Sequence, residues 1–143
     1  IGFNYRMTNI QAAIGCAQLQ KSGEIIVRKK NILRWYTQML KDSAGITMQV
    51  FDENVVPVVW SVGVHIDPQA FGCSRDLLMQ LLLEQGIETR CGFYSPSENP
   101  LYNAPPLSVS ERVGRHMIVL PAFTGLTEEQ VGRICTELLK LRR

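Results

Sequence analysis

Residues 8–40 contain no proline, and the step Ser22-Gly23 is the clearest signal to interrupt them. A stretch this long without a breaker commits the start of the chain to helix. Thr8 and Gln11, three residues apart, have the form of a capping box. Ile10, Ala13, Ile14, Ala17 and Gln18 recur at helical spacing, and the run of small residues at 12–17 lets another helix or a strand approach closely. A second amphipathic run carries Ile25, Ile26, Lys29, Ile32, Leu33, Tyr36, Met39 and Leu40. Ser43-Ala44-Gly45 ends it. The pattern predicts two helices, or one long kinked helix.

Beyond Gly45 the period changes. Residues 46–50 alternate and residues 55–66 are rich in Val, Trp and Ile, so both read as strands, with Pro57 at a strand start or edge. Ser74 is placed to cap a helix over 75–85 that buries Leu77, Leu78, Leu81 and Leu82, and Gly86 to follow it as the left-handed residue. A short strand is expected at 87–91, then a polar, proline-bearing loop at 92–106, long enough to suggest function. Ser108 opens a helix to about 117, residues 118–120 form a strand, and Thr127 caps a last helix with Glu128 and Glu129 in its first turn. The order predicts an α+β (or α/β) fold: long N-terminal helices, then a small, open, mostly antiparallel sheet with helices on one face. Residues 1–45 would be a helical arm and residues 46–143 a small domain.

Composition narrows the function classes. With 15 Lys+Arg against 13 Asp+Glu the net charge is +2, which excludes a strongly electrostatic nucleic-acid binder but not a local anion site. No apolar run approaches the roughly 20 residues of a membrane span, so no membrane partner is expected. The chain opens on Ile1 rather than Met, with no basic-then-apolar leader, so the sequence is expected to start inside something longer or to be processed. Cys16, Cys73, Cys91 and Cys135 are widely spaced, with no zinc-like pair, and fit free thiols in a reducing cytoplasm.

No phosphate-cradling Gly-x-x-x-x-Gly-Lys, no Gly-x-Ser-x-Gly and no His-Glu-x-x-His is present. His65 and His116 read as structural, Trp35 and Trp60 as core, and Arg28-Lys29-Lys30 as a solvated helix face. Two segments carry more chemistry. In the hexad 2–7, Asn4 and Arg6 flank aromatics just ahead of a helix N-terminus, where free N–H groups favour an anion; an ordinary capped turn accounts for them equally well. In residues 88–96, Arg90 and Tyr94 stand at a strand's end as in many ligand clefts; a surface loop pinned by a buried Phe93 is the alternative.

The run Gly2-Phe3-Asn4-Tyr5-Arg6-Met7-Thr8-Asn9-Ile10-Gln11-Ala12-Ala13-Ile14-Gly15, followed by Ala17-Gln18-Leu19, closely resembles a signature of the DegT/StrS aminotransferases. Further blocks agree in order: Ser74-Arg75-Asp76-Leu77-Leu78, Gly86-Ile87-Glu88-Thr89-Arg90, Phe93-Tyr94 with Pro100 and Tyr102, and Leu120-Pro121 with Gly125-Leu126-Thr127-Glu128-Glu129-Gln130-Val131. Their wording is similar to the perosamine-synthase-like branch.

The resemblance implies a pyridoxal-phosphate (PLP) enzyme of fold type I. It would move an amino group, from a donor such as glutamate, to a keto sugar nucleotide. It also implies a homodimer joined through the N-terminal helix region. It covers the family's C-terminal portion, and places the Schiff-base lysine and the carboxylate on the pyridinium nitrogen in a large domain ahead of the Asn-Tyr-Arg block. None of Lys21, Lys29, Lys30, Lys41 and Lys140 stands in that lysine's setting, so no catalytic residue is assigned and the chain by itself is expected to be inactive. Asn4 would reach the PLP phosphate of the neighbouring subunit. Arg6, Arg90 and Tyr94 would approach the sugar nucleotide. One departure is Ser97, which stands where the family usually has a His. The rival expectation is a non-catalytic module acting in dimerisation or partner binding.

Overall fold

The computed structural model describes residues 3–143; Gly2 of the N-terminal hexad lies outside them. The long helical stretch is two helices, α1 (Asn9–Gln20) and α2 (Ser22–Leu40). The capping box forms, with the Gln11 amide donating to Thr8 Oγ1 at 3.4 Å and the Thr8 amide to Gln11 Oε1 at 2.8 Å. Then come β1 (Ile46–Met48), β2 (Val62–Ile66), α3 (Pro68–Phe71), α4 (Arg75–Glu84), β3 (Arg90–Cys91), a 3-10 turn (Pro96–Glu98), α5 (Ser108–His116), β4 (Met117–Leu120) and α6 (Glu128–Lys140).

The four strands form one sheet in the order β1-β2-β4-β3, and every pair is antiparallel. Register follows side-chain parity. Val64 pairs with Ile118 and Val62 with Leu120, so these buried residues share one face. His65 pairs with Met117 and Gly63 with Val119 on the other.

The core lies between the first face and helices α2, α4 and α6. Ile32, Tyr36 and Leu40, four residues apart, lay one stripe of α2 against Val131, Ile134, Cys135 and Leu138 of α6. Each such side chain contributes about 1.5–3 kcal/mol of burial. The Tyr36 hydroxyl is not orphaned, because it donates to the Pro121 carbonyl at 2.9 Å. Burial pushes the Tyr36 phenol up and the Cys135 thiol up to about 12, so neither ionises near neutrality.

Three expectations are corrected. Residues 55–66 do not form one strand: β2 starts at Val62, and Val55, Val56 and Val58 are exposed. β1 pairs only with residues 64–66, and Pro57 offers no N–H to a neighbour. The strand expected at 87–91 shrinks to Arg90–Cys91, since β4 is four residues long and runs into Pro121. On α4 only Leu78 and Leu82 are fully buried, and Leu77 is exposed. The short α3 adds an element that the sequence pattern does not announce. Asp67 accepts from the Gln69 and Ala70 amides and Pro68 supplies the first helical position.

Two glycines meet backbone demands. Gly86, at φ 72°, follows α4 as the sequence predicts. Gly45, at φ 76°, lies so close to Phe71 that a Cβ would stand 2.5 Å from its amide nitrogen. Only glycine fits there.

On the second sheet face α5 ends with the His116 ring 5.3 Å from His65. Burial, His116 and Arg112 hold His65 below the usual histidine range, and Asp67 pulls weakly the other way. Thr47 of β1 and Met117 of β4, the two residues beside His65 in the sheet, carry no charge. The unfolded chain therefore binds more protons than the folded one between the two His65 values. Stability is expected to fall as the pH drops below about 6.5, and His65→Gln to flatten that fall. Urea midpoints measured at pH about 7.5 and about 5.5 check this; equal slopes in both proteins would contradict it.

Candidate functional site

The far end of the sheet opens into a cleft of about 780 Å³, within the size range of small-molecule sites. One wall is the Gly86–Arg90 turn and β3, the other the segment after β4 (Pro121, Ala122, Phe123), with Gln130 and Arg133 of α6 below and Lys29 of α2 at the side. Ile87 and Leu126 supply its apolar floor. Ile87 is held down because its amide donates to the Leu82 carbonyl across the Gly86 turn.

Lys29 does not belong to a solvated face, as its sequence setting suggests. Its Nζ donates to the carbonyls of Trp60 and Ala122, tying the loop before β2 to the loop after β4. Its neighbour Arg28 does face solvent, paired with Glu24 at 2.8 Å. Trp60 is a second correction. It lies outside β2, is 64% exposed, and sets its ring 6.0 Å from Phe93 at the rim of the cleft. Phe93 in turn is 77% exposed, so the loop is not pinned by burying it. Trp35 packs against the core as expected.

What pins that loop is polar. Buried Ser95 shares a hydrogen bond with Ser97, and Ser97 donates to Glu111 Oε1 of α5 at 2.6 Å. The Leu107 amide donates to the same oxygen, and Arg115 pairs with Glu98 at 2.9 Å. The Ser97 hydrogen bond first, and the Leu107 amide second, hold Glu111 below the usual carboxylate range. The residue standing where the family usually has a His therefore belongs to a clasp between loop and helix.

The four site residues expected from sequence fall in three places. Arg90 lines the cleft. Tyr94 is exposed on the loop beside it and is not part of the lining. Asn4 and Arg6 are exposed ahead of α1, where Asn4 Oδ1 accepts from the Arg6 amide at 2.9 Å and from Arg6 Nε at 3.3 Å. Among the described residues, that turn engages Asn4 Oδ1 and gives the Asn4 Nδ2 group no acceptor. No cleft residue comes from this segment. Sequence reasoning missed Trp60, Phe93 and Arg133 as cleft residues; the signal for the first two is a pair of aromatics in segments with no strand partner. Among the described residues no group of three or more His, Cys, Asp or Glu stands ready for a metal ion, and no helix is long and apolar enough to cross a membrane.

Comparison with known proteins gives these features a frame. The chain is 38% identical over 143 residues to the GDP-perosamine synthase of Vibrio cholerae, covering 94% of this chain and 37% of that protein. It is 36% identical to the enzyme of the same name from Escherichia coli O157:H7, over 96% of this chain and 37% of that one. The chain thus spans under two fifths of the length of the curated relatives it matches. Among solved structures it superposes on Helicobacter pylori PseC, an aminotransferase involved in the biosynthesis of pseudoaminic acid, with TM-score 0.85 and 25% identity, over 99% of this chain and 39% of that one. DesI, solved in the presence of its TDP-sugar product, gives TM-score 0.86 and 28% identity over 97% of this chain and 36% of that one. With its residues 1–139 matching the family's pattern, the chain belongs to the DegT/DnrJ/EryC1/StrS aminotransferase family.

Proposed function

We propose that this chain is the C-terminal part of a PLP-dependent, cytoplasmic enzyme that transfers an amino group, from glutamate or a similar donor, to a keto sugar nucleotide. The observation that carries the reading is the likeness to GDP-perosamine synthases along nearly the whole chain. Residues 1–45 would lead from a PLP-binding large domain, with the end of α2 anchored in the core, and residues 46–143 would form the small domain.

The residues fit one end of the cofactor. The Asn4 side-chain amide and the first-turn N–H groups of Asn9 and Ile10, which the capping box leaves unengaged, suit a phosphate, and in this reading they serve the partner subunit's PLP. The other end they do not supply. Lys29 is the lysine lining the cleft, and its Nζ is engaged with two carbonyls. The lysine that holds PLP and shuttles the proton therefore lies, in this reading, in the large domain, and this chain alone is inactive. PLP, when bound, supplies the electron sink that lets the amino group move. Arg6, Arg90 and Tyr94 would orient the sugar nucleotide. Phe3, Tyr5, Ile10 and Ile14 are exposed on the arm and α1, and a second copy of the chain covering them supports the homodimer.

In the full-length protein, Asn4→Ala is expected to weaken PLP binding about tenfold, the loss of one good phosphate contact. PLP dissociation constants by equilibrium dialysis check it; an unchanged constant would remove Asn4 from the site. The same exposed α1 also suits a second reading, a non-catalytic module that dimerises or binds a partner. That reading predicts no PLP in the protein isolated from its source.

A further inference from the structure

The segment after β3 is docked along one face of α5, and the docking is polar. Glu111, Gly114 and Arg115 follow Leu107 by four, seven and eight residues, so the four share that face. The Gly92 amide donates to the Met117 carbonyl at 3.0 Å, and the Phe93 carbonyl then lies over Gly114, which has no Cβ to push it away. Ser97 has one hydroxyl proton and directs it to Glu111 Oε1 at 2.6 Å, so Ser95, 2.8 Å from Ser97, is the donor of that pair. Ser95 is buried, so its hydroxyl has no water to turn to if Ser97 moves. The Leu107 amide at 3.0 Å and the Arg115 guanidinium at 3.7 Å hold Glu111 itself, and Arg115 also grips Glu98 at 2.9 Å. Tyr94 lies between two of these fixed points, with Phe93 on one side and Ser95 on the other.

We infer that Glu111 is a positioning residue for the reaction: through Ser97 and Ser95 it sets the backbone that presents Tyr94 to the sugar nucleotide. The assignment deepens the sugar-nucleotide reading above and rests on it. A loop left free would have to be ordered each time substrate binds. With the clasp closed it is ordered beforehand, and binding does not bear that loss. Glu111 is a carboxylate at neutral pH, because the Ser97 hydroxyl first and the Leu107 amide second hold it below the usual carboxylate range. The proton order from Ser95 to Ser97 to Glu111 therefore runs one way. An opened clasp lowers the fraction of molecules competent to bind, which raises the apparent dissociation constant and leaves the bound state unchanged. That is a KM effect without a kcat effect.

The test uses the full-length protein with PLP. Hydrogen exchange of residues 92–98 reads the clasp, calorimetry with a GDP-linked keto sugar in the absence of an amino donor reads binding, and steady-state amination reads KM and kcat. Ser97→Ala is expected to speed exchange in that segment about tenfold and to raise both the dissociation constant and KM about tenfold, the size of one hydrogen bond to a charged group. kcat should stay within about twofold. Glu111→Ala should do the same, while Ser97→Thr, which keeps the hydroxyl, should retain near wild-type values. In a Tyr94→Ala background Ser97→Ala should add little, because the residue being positioned is gone. Unchanged exchange in Ser97→Ala, a loss confined to kcat, or a clasp effect undiminished by Tyr94→Ala would each overturn the inference. The two readings fail separately. Amination with a wild-type KM in Ser97→Ala sinks the positioning role alone, whereas weaker sugar-nucleotide binding in Ser97→Ala without any amination by the wild type sinks the aminotransferase reading alone.

Discussion

Replacing Phe71 with alanine is expected to remove about 3–5 kcal/mol of stability, the largest loss expected from truncating one side chain in this fold. Phe71 is fully buried at the end of α3. Its backbone is engaged from both sides: its amide donates to the Asp67 carbonyl at 2.8 Å, and its carbonyl accepts from the Arg143 amide at 3.0 Å. Gly45 packs against the same residue at a distance no side chain tolerates. The site therefore has little room to collapse around the missing ring, and cavity cost adds to the lost transfer energy. A thermal midpoint lowered by about 10–15 °C is the corresponding readout. A drop of only a degree or two would show that α3 packs loosely and carries little of the fold.

Arg75→Met ranks second, at about 2–3 kcal/mol. The Arg75 side chain is only 9% exposed. Its Nη1 donates to the Gly114 carbonyl at 3.3 Å and the Met117 carbonyl at 3.0 Å, closing the C-terminal end of α5 where the helix carries partial negative charge. Its ion pair with Asp76 adds little, because that carboxylate is 82% exposed. The loss comes from charge-assisted bonds to carbonyls left without their donor, since methionine replaces the stem but not the fork. Gly114 also lies under the Phe93 carbonyl, where an added Cβ would stand 2.6 Å away. Loosening α5 therefore reaches the cleft rim. Urea unfolding checks the stability loss. Asp76→Asn, which leaves both carbonyl bonds intact, should cost under about 1 kcal/mol; equal costs for the two variants would assign the stability to the ion pair instead.

The helices are legible in the sequence because their signals are local. Both Thr8 with Gln11 and Thr127 with Gln130 form capping boxes, and Gly86 turns the chain after α4. The sheet is legible in order but not in extent, because strand length depends on which neighbour offers a partner. The Val-rich residues 55–61 have the composition of a strand and no strand beside them. The same distinction explains the site. Arg90 follows from its place in β3, which it opens. Trp60 and Lys29 do not, because an aromatic or a lysine reads alike on a core face, a solvated face or a cleft wall until the segments around it are placed. Lys29 reaches carbonyls 31 and 93 positions away in sequence, and no local pattern encodes such a contact. The clasp of Ser97 on Glu111 is non-local in the same way.

Amino transfer itself is the most direct test of the aminotransferase reading. The full-length protein, isolated from its source with PLP, is incubated with 15N-labelled glutamate and a GDP-linked keto sugar, and the nucleotide fraction is weighed by mass spectrometry. The expected product is a GDP-linked amino sugar carrying the 15N label. A protein that holds no PLP and leaves every sugar nucleotide unlabelled, offered GDP-, TDP- and UDP-linked keto sugars in turn, would contradict it.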